Sequence, residues 1–226
     1  MSETVDPTPV ADGMHASDAR LAAADALRRL GHAIVSHDAG DEFFSQVVTS
    51  IEAVLPAIEA SPSRRRLPEH MKRGLFEGAP PDGDRIDHFP DCVISGHANP
   101  LGVAIVVHRE GDEAVARVTL GPAFEGAPGR AHGGVVAGIF DDVLGNVLTI
   151  IEQPAFTAEL TVRYLAPTPL GVELVYRGRL VRRDGRKLWI EGECLAPDGG
   201  VVASAAGLFI AIDFSRLAGV TEAAAE

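Results

Sequence analysis

One segment of the chain, residues 134–152, is apolar around nearly its whole circumference at helical spacing. Its apolar residues are Val135, Val136, Ile139, Phe140, Val143, Leu144, Val147, Leu148 and Ile151. A helix with apolar residues on every side is buried inside a domain and does not lie on a wet surface. The rest of the domain must therefore wrap around this helix, and that requirement limits the fold more than any other feature of the chain does.

The segments on either side of this helix predict β-strands. Two precede it, at 101–108 and 113–120, and four follow it, at 156–166, 172–183, 186–196 and 201–213. Tight turns join the last strands, and strands joined by tight turns are antiparallel. The expected fold class is α+β, with an antiparallel sheet wrapped around one long central helix. Because the outer sheet face also carries apolar residues such as Val175 and Trp189, we expect the chain to dimerise.

Residues 1–94 differ in composition and predict a helical extension followed by a linker. Residues 1–16 are polar and are expected to be disordered. Ser17 precedes apolar residues at helical spacing, which predicts a helix that ends at Gly31. A second helix is predicted over 41–60, although Pro56 should kink or cut it. The main domain is expected over 95–214, with a C-terminal tail at 215–226.

Charge and cysteine content exclude several classes of protein. The 226-residue chain has 20 Lys and Arg against 32 Asp and Glu, a formal net charge of -12. Nucleic-acid-binding proteins normally have a basic surplus, so we expect no nucleic-acid partner. Two cysteines, Cys92 and Cys194, are too few for a disulfide scaffold or a structural zinc site. The acidic N-terminus lacks a signal-peptide pattern, and the longest apolar stretches are interrupted, so we expect a cytoplasmic protein with no membrane span.

The stretch 126–134 brings two glycines, Gly133 and Gly134, to the start of the buried helix. Backbone N–H groups at a helix start have no partner within the helix, and the helix dipole adds positive potential there. Glycines also let a ligand approach the backbone closely. The arrangement suits a developing oxyanion, although two glycines can equally serve only a tight turn.

Two carboxylates, Asp141 and Asp142, lie in the middle of the apolar helix. Carboxylates in such a helix are costly unless they are exposed, paired or functional. They lie ~100° apart around the helix axis, so at most one of them faces a given cleft. Thr157 opens the next predicted strand, where simple alternation places it on the same face as Glu159 and Arg163. A threonine in a strand is ordinarily only a good β-former.

The order and spacing of these residues resemble the hotdog-fold acyl-CoA thioesterases. His132-Gly133-Gly134 is followed by Asp141 nine positions after the histidine, by Thr157 sixteen positions after the aspartate, and by Leu-Thr-Val-Arg-Tyr-Leu-Ala-Pro at 160–167. The branch that the chain most resembles contains the phenylacetate-pathway thioesterase PaaI and the THEM-type thioesterases. The resemblance covers roughly residues 95–213.

The resemblance implies roles for four residues. The Gly133 amide would bind the thioester carbonyl oxygen, and His132 would orient or polarise the thioester. Asp141 would act as general base on water or as nucleophile, and Thr157 would position the water or the carboxylate. The substrate would be an acyl-CoA, and no cofactor or metal is implied. In the family the two halves of the site come from different subunits, so the resemblance also implies a homodimer or a dimer of dimers.

One position departs from the family's pattern. Some members carry an asparagine six residues before the histidine that assists the oxyanion site, and this chain has Gly126 there. The anionic CoA would need basic residues at the cleft mouth, and the candidates by location are Arg130, Arg163, Arg182, Arg183, Arg186 and Lys187. Two other functions remain open on the same fold. One is a hydratase or dehydratase that uses His132, and the other is a non-catalytic acyl-CoA-binding protein.

Overall fold

The structure is a computed structural model that describes residues 16–64, 78–87 and 89–212. The helices are α1 (Asp18–Ser36), α2 (Asp41–Glu59) and α3 (Gly133–Ile150), and a 3-10 turn covers Pro122–Phe124. The strands are β1 (Arg85–Ile86), β2 (Val107–Glu110), β3 (Glu113–Thr119), β4 (Glu125–Ala127), β5 (Arg130–Ala131), β6 (Ala155–Tyr164), β7 (Glu173–Asp184), β8 (Lys187–Leu195) and β9 (Val201–Ala211). The expectations for residues 1–15 and for the tail at 215–226 lie outside the described residues.

Seven of these strands form one sheet in the order β1-β2-β3-β7-β8-β9-β6. Every neighbouring pair in this sheet is antiparallel. The sheet wraps around α3, and β6 forms one of its edges. β4 and β5 make a separate short hairpin just before α3. The expected α+β hotdog architecture is therefore confirmed, and we call residues 85–212 the hotdog domain.

Helix α3 is the centre of the hotdog domain's core. Ten of its residues are buried, and the Phe140 ring meets the Tyr176 ring of β7 edge to face with centroids 5.1 Å apart. Helix α3 is long and apolar enough to cross a membrane by length and composition alone, but more than half of it is buried within the domain. The sheet around it accounts for this composition, because a core helix needs apolar residues on most of its faces.

The first predicted strand is wrong in its position. It was expected over 101–108, but β2 covers Val107–Glu110. The backbone N–H groups of Val103 and Ile105 donate to the carbonyls of Val93 and Ile94, at 3.1 and 3.2 Å. The segment before β2 therefore satisfies its backbone groups against a neighbouring loop, and a run of β-branched residues alone does not reveal that choice.

Helix α1 packs against the hotdog domain. Ser17 caps it, with its hydroxyl accepting from the Arg20 N–H at 3.3 Å. Gly31 does not end the helix as predicted, since α1 continues to Ser36. The turn after Gly31 is anchored by His32, whose Nδ1 accepts from the backbone N–H of Ala123 at 3.0 Å. Such a contact offsets the cost of about 1 kcal/mol that glycine carries inside a helix.

Helix α2 is present as predicted but contributes nothing to the core. None of its residues is buried. Pro56 does not cut it, because it lies in the last turn and only three residues of the helix follow it. The predicted domain boundary at residue 94 stays a prediction, and the short strand β1 before it already pairs with β2.

Candidate active site

His132 forms the N-cap of α3. Its Nδ1 accepts from the Gly134 N–H at 2.9 Å, and its own backbone N–H donates to the Phe124 carbonyl at 2.8 Å. Because Nδ1 acts as the acceptor, the neutral imidazole carries its proton on Nε2. The exposed His132 ring therefore offers an N–H donor beside the start of the helix.

The Gly133 amide is the open donor at this helix start. Among the described residues, none accepts a hydrogen bond from its N–H. The first N–H groups of a helix have no partner within the helix, and they sit at the positive end of its dipole. The sequence indicated two glycine amides for an oxyanion, but His132 occupies the Gly134 amide. One backbone donor, that of Gly133, is left for a bound oxygen.

The glycine at 126 is required by the packing of β4 against His132. A Cβ atom at Gly126 would lie 2.7 Å from the His132 Cα and 2.9 Å from its Cβ and Cδ2. These distances are shorter than any ordinary carbon contact. A side chain at this position is therefore incompatible with the observed place of His132, which gives a physical reason for the absence of the asparagine that some family members carry here.

Asp141 and Thr157 are brought together. Both side chains are exposed, and the Thr157 hydroxyl donates to the Asp141 Oδ1 at 2.9 Å. The hydrogen bond fixes the orientation of the carboxylate and leaves Oδ2 without a bond to any described residue. A carboxylate held in this way can take a proton from water or attack an electrophile.

The expected orientation of Thr157 is wrong, and a β-bulge is the reason. The register between β6 and β9 shifts between Thr157 and Glu159. Thr157 pairs with Phe209, which is a core residue only 1% exposed, and opposed residues of an antiparallel pair share a face. The extra residue turns Thr157 to the inner face, away from that of Glu159 and Arg163, and so allows it to reach Asp141.

Asp142 has a different set of contacts from Asp141. Its Oδ1 accepts from the Cys92 thiol and the Ser95 hydroxyl, both at 3.3 Å. Its main-chain carbonyl accepts from the Asn146 side chain at 2.7 Å. Asp142 therefore ties the loop before β2 to α3, and Asp141 is the carboxylate that remains open to a reactant.

Tyr164 is a residue of this region that the sequence reasoning did not assign to the site. It lies at the end of β6, and its hydroxyl donates to the Gly133 carbonyl at 2.8 Å. The available signal was alternation, because Tyr164 follows Leu160 and Val162, which pack against the core, on the inner face of the strand.

The open amide and the open carboxylate lie at different places along α3. Gly133 and Asp141 are eight residues apart, which is ~12 Å along a helix axis. Reacting atoms have to lie about 3–3.5 Å apart, so one thioester group cannot contact both of these groups in a single chain. Strand β6 follows the same division, with Thr157 beside Asp141 and Tyr164 beside Gly133.

A cavity of about 740 Å³ lies on the outer face of the sheet, away from these groups. Its charged lining residues are Glu113, Arg163, Arg177, Arg179, Glu191 and Glu193. The opposite charges balance, and Asp141 and Gly133 do not line it. In residues 16–64, 78–87 and 89–212, no group of three or more His, Cys, Asp or Glu side chains could hold a metal ion.

Comparison with known proteins matches the part of the chain that contains His132, Gly133, Asp141 and Thr157. Residues 128–203 match the family model described as the thioesterase superfamily. A solved structure of a thioesterase superfamily protein superimposes with a TM-score of 0.73 and 29% identity, over 86% of this chain and 92% of that one. The similarity to that protein includes the region before the hotdog domain, since the domain alone is too short to reach this coverage.

Two curated relatives are similar in sequence. The acyl-coenzyme A thioesterase THEM4 of Bos taurus is 32% identical over 121 residues, 52% of this chain and 50% of the relative. The acyl-coenzyme A thioesterase THEM5 of Mus musculus is 27% identical over 115 residues, 50% of this chain and 46% of the relative. The chain thus spans about half the length of the curated relatives that it matches.

Proposed function

We propose that this chain, whose hotdog domain belongs to the thioesterase superfamily, hydrolyses the thioester of an acyl-CoA to a carboxylic acid and free CoA. The proposal rests on the exposed Asp141 carboxylate of α3, which accepts a hydrogen bond from the Thr157 hydroxyl of β6. The same helix α3 begins at Gly133, whose amide N–H is available to a bound oxygen. A thioester is already activated, so a positioned carboxylate and a donor for the oxyanion are sufficient. The names of the curated relatives support acyl-CoA as the substrate.

The separation along α3 supports a site that is shared between two chains. Strand β6 is a ten-residue edge strand, and an edge strand offers unpaired backbone groups to a second strand. A two-fold axis near the middle of β6 would place the Thr157 end of one protomer beside the Tyr164 end of its partner. That pairing would bring Asp141 of one protomer toward the partner's Gly133, so the working unit we propose is a homodimer, alone or within a dimer of dimers.

The reaction uses the Asp141 carboxylate of one protomer and the helix-start donors of its partner. The partner's Gly133 N–H donates to the thioester carbonyl oxygen, and the His132 Nε2–H beside it is a second donor. Asp141 removes a proton from a water that attacks the carbonyl carbon, or it attacks that carbon itself. In the water route, the tetrahedral oxyanion collapses, the C–S bond breaks, and the departing CoA sulfur takes up the proton that Asp141 held. In the nucleophilic route, the Asp141 carboxylate displaces the CoA thiolate to form a mixed anhydride, and water then hydrolyses the anhydride to the carboxylic acid and the free Asp141 carboxylate.

The recognition of the anionic CoA needs local arginines, because the chain as a whole is acidic. Arg163 lines the outer-face cavity. The β7–β8 hairpin carries Lys187 and three arginines that already have partners: Arg182 contacts Asp184, Arg183 donates to Gln153, and Arg186 donates to the Ala211 carbonyl. Arg130 is exposed on β5, two residues before His132. We therefore propose Arg130 as the side chain that meets a CoA phosphate.

The free thiols of Cys92 and Cys194 fit a reducing compartment, and a cytoplasmic location stays a prediction.

Release of free thiol from short, medium, long and aryl acyl-CoAs tests the proposal, with wild type, Asp141→Asn and Asp142→Asn compared. The Asp141→Asn variant should lose about 100-fold or more in kcat, since general acid–base groups contribute 10²–10⁴-fold. The Asp142→Asn variant is the matched control, because an amide oxygen can still accept from Cys92 and Ser95. It should keep kcat within about threefold of wild type, the change expected where no catalytic proton transfer is lost.

Two results would contradict the proposed function. In one, wild type releases no thiol from any ester, and tight binding without turnover would then indicate an acyl-CoA-binding protein. In the other, Asp141→Asn keeps the wild-type rate. Hydration of crotonyl-CoA, measured beside hydrolysis, would reveal a hydratase if it exceeded thiol release.

A further inference from the structure

The first peptide group of α3 is held at both of its ends. The carbonyl of Gly133 accepts from the Tyr164 hydroxyl at 2.8 Å, and the N–H of Gly134 donates to the His132 Nδ1 at 2.9 Å. These two atoms belong to the same peptide plane. Hydrogen bonds in opposite directions therefore fix the orientation of that plane against rotation about its flanking bonds.

Without these two hydrogen bonds, the Gly133–Gly134 peptide would have more rotational freedom. Glycine has wide backbone freedom, and helix ends fray, so two successive glycines at the first turn are poorly restrained by the helix itself. Rotation of the plane would change the direction of the neighbouring Gly133 N–H. An oxyanion donor is effective when it is aimed before the reaction begins.

Tyr164 also packs closely against Gly133. A Cβ atom there would lie 3.2 Å from the Tyr164 hydroxyl oxygen and 3.3 Å from its Cζ. A side chain at 133 would therefore press on the tyrosine, which would have to move by a few tenths of an ångström. His132 restrains the peptide from one side and Tyr164 covers it from the other.

We propose that Tyr164 is a positioning residue, whose hydroxyl holds the Gly133–Gly134 peptide so that the Gly133 amide is aimed at the thioester oxygen. The inference rests on the proposed function and adds a member to its machinery. It also gives strand β6 a role in both halves of the site, since Thr157 near its start orients the carboxylate and Tyr164 at its end orients the amide.

The test compares wild type with Tyr164→Phe, which removes one hydroxyl and keeps the ring. Thr161→Val is the matched control, because it removes a hydroxyl from the opposite face of the same strand. Steady-state kinetics with the best acyl-CoA and hydrogen exchange of the Gly134 amide are measured on the full-length chain. We expect Tyr164→Phe to lower kcat about tenfold, the effect of one lost hydrogen bond, with KM and the melting temperature unchanged. Exchange at Gly134 should become faster, and Thr161→Val should match wild type in every measurement.

The outcomes separate this inference from the proposed function. If wild type hydrolyses acyl-CoA and Tyr164→Phe keeps its kcat, the positioning role is wrong and the thioesterase proposal stands. An unchanged exchange rate at Gly134 also overturns the positioning role, whatever the activity. A rise in KM with unchanged kcat would mean that Tyr164 contributes to binding and not to the aim of the amide. If wild type hydrolyses no ester, the proposed function fails and this inference fails with it.

Discussion

Replacing Gly126 by alanine places a methyl group directly against His132. The new Cβ would lie 2.7 Å from the His132 Cα, and ordinary contact begins at 3.4 Å. The gap between β4 and His132 must therefore open by about 0.7 Å or more before the methyl group fits. The atom in the way belongs to the backbone, so a change of side-chain rotamer does not relieve the contact.

The displacement acts on the residue that comes directly before the Gly133 amide. A misplacement of about 1 Å can cost about 100-fold in rate, and the loss of one oxyanion donor costs 10²–10³-fold in kcat. For a shift of this size we expect Gly126→Ala to lower kcat by about 10- to 100-fold. Overpacking of this kind costs roughly 1–3 kcal/mol of stability, so the chain should still fold.

The assay is thiol release at saturating acyl-CoA, together with the free energy of unfolding in urea. Gly31→Ala is the control, because nothing lies within 4 Å of the Cβ that it adds. It should keep wild-type activity and raise stability by about 0.5–1 kcal/mol as a helix-interior Gly→Ala change. Full activity in a folded Gly126→Ala variant would refute the argument that this glycine sets the position of His132 and Gly133.

Three further predictions concern other residues. Arg130→Gln should raise KM for acyl-CoA about tenfold at low salt with kcat unchanged, and the difference should shrink as salt is added. His32→Leu should lower kcat by a few fold without loss of folding, because His32 accepts a hydrogen bond from the Ala123 N–H in the turn before β4. Equal kcat in wild type and His32→Leu would show that α1 does not help to position the site. Burial raises the pKa of the Cys194 thiol from 9.0 to about 11, so the unfolded chain loses this proton first as pH rises. Cys194 should therefore lower the free energy of unfolding in urea by up to about 2.7 kcal/mol between pH 9 and pH 11, and Cys194→Ala should lose that part of the slope.

The sequence was sufficient for the parts of the fold that depend on hydrophobic pattern. The run of apolar residues in α3 predicted a central helix, and the alternating segments after it predicted the four strands β6 to β9. The spacing of Asp141 and Asp142 predicted that only one of them faces a given cleft, and their different contacts agree with that geometry.

The remaining features depend on contacts between distant segments. The bulge at Thr157 reverses the face of that residue, and alternation assumes a regular strand. The capture of the Gly134 amide by His132 and the bond from Tyr164 to Gly133 need a side chain and a peptide to meet in space. Gly31 was expected to end α1, but the contact of His32 with a segment ninety residues further along the chain extends the helix beyond it.

The central claim is that each active site takes its carboxylate from one chain and its amide from the other. Mixing two inactive variants, Asp141→Asn and Gly133→Pro, tests it most directly. Proline removes the amide N–H, suits the first position of a helix, and follows His132, whose φ of -65° and ψ of 134° are those preferred before proline. The new Cβ atom would press on the Tyr164 hydroxyl of the same chain. That hydroxyl belongs to the amide half of the site, so the carboxylate half of the same chain stays intact. After dissociation and reassociation of an equal mixture, half of the dimers are mixed and each of these has one intact site, so about a quarter of wild-type activity should return. Mixed dimers that form, as shown by co-purification of two tags, and still release no thiol would contradict the claim.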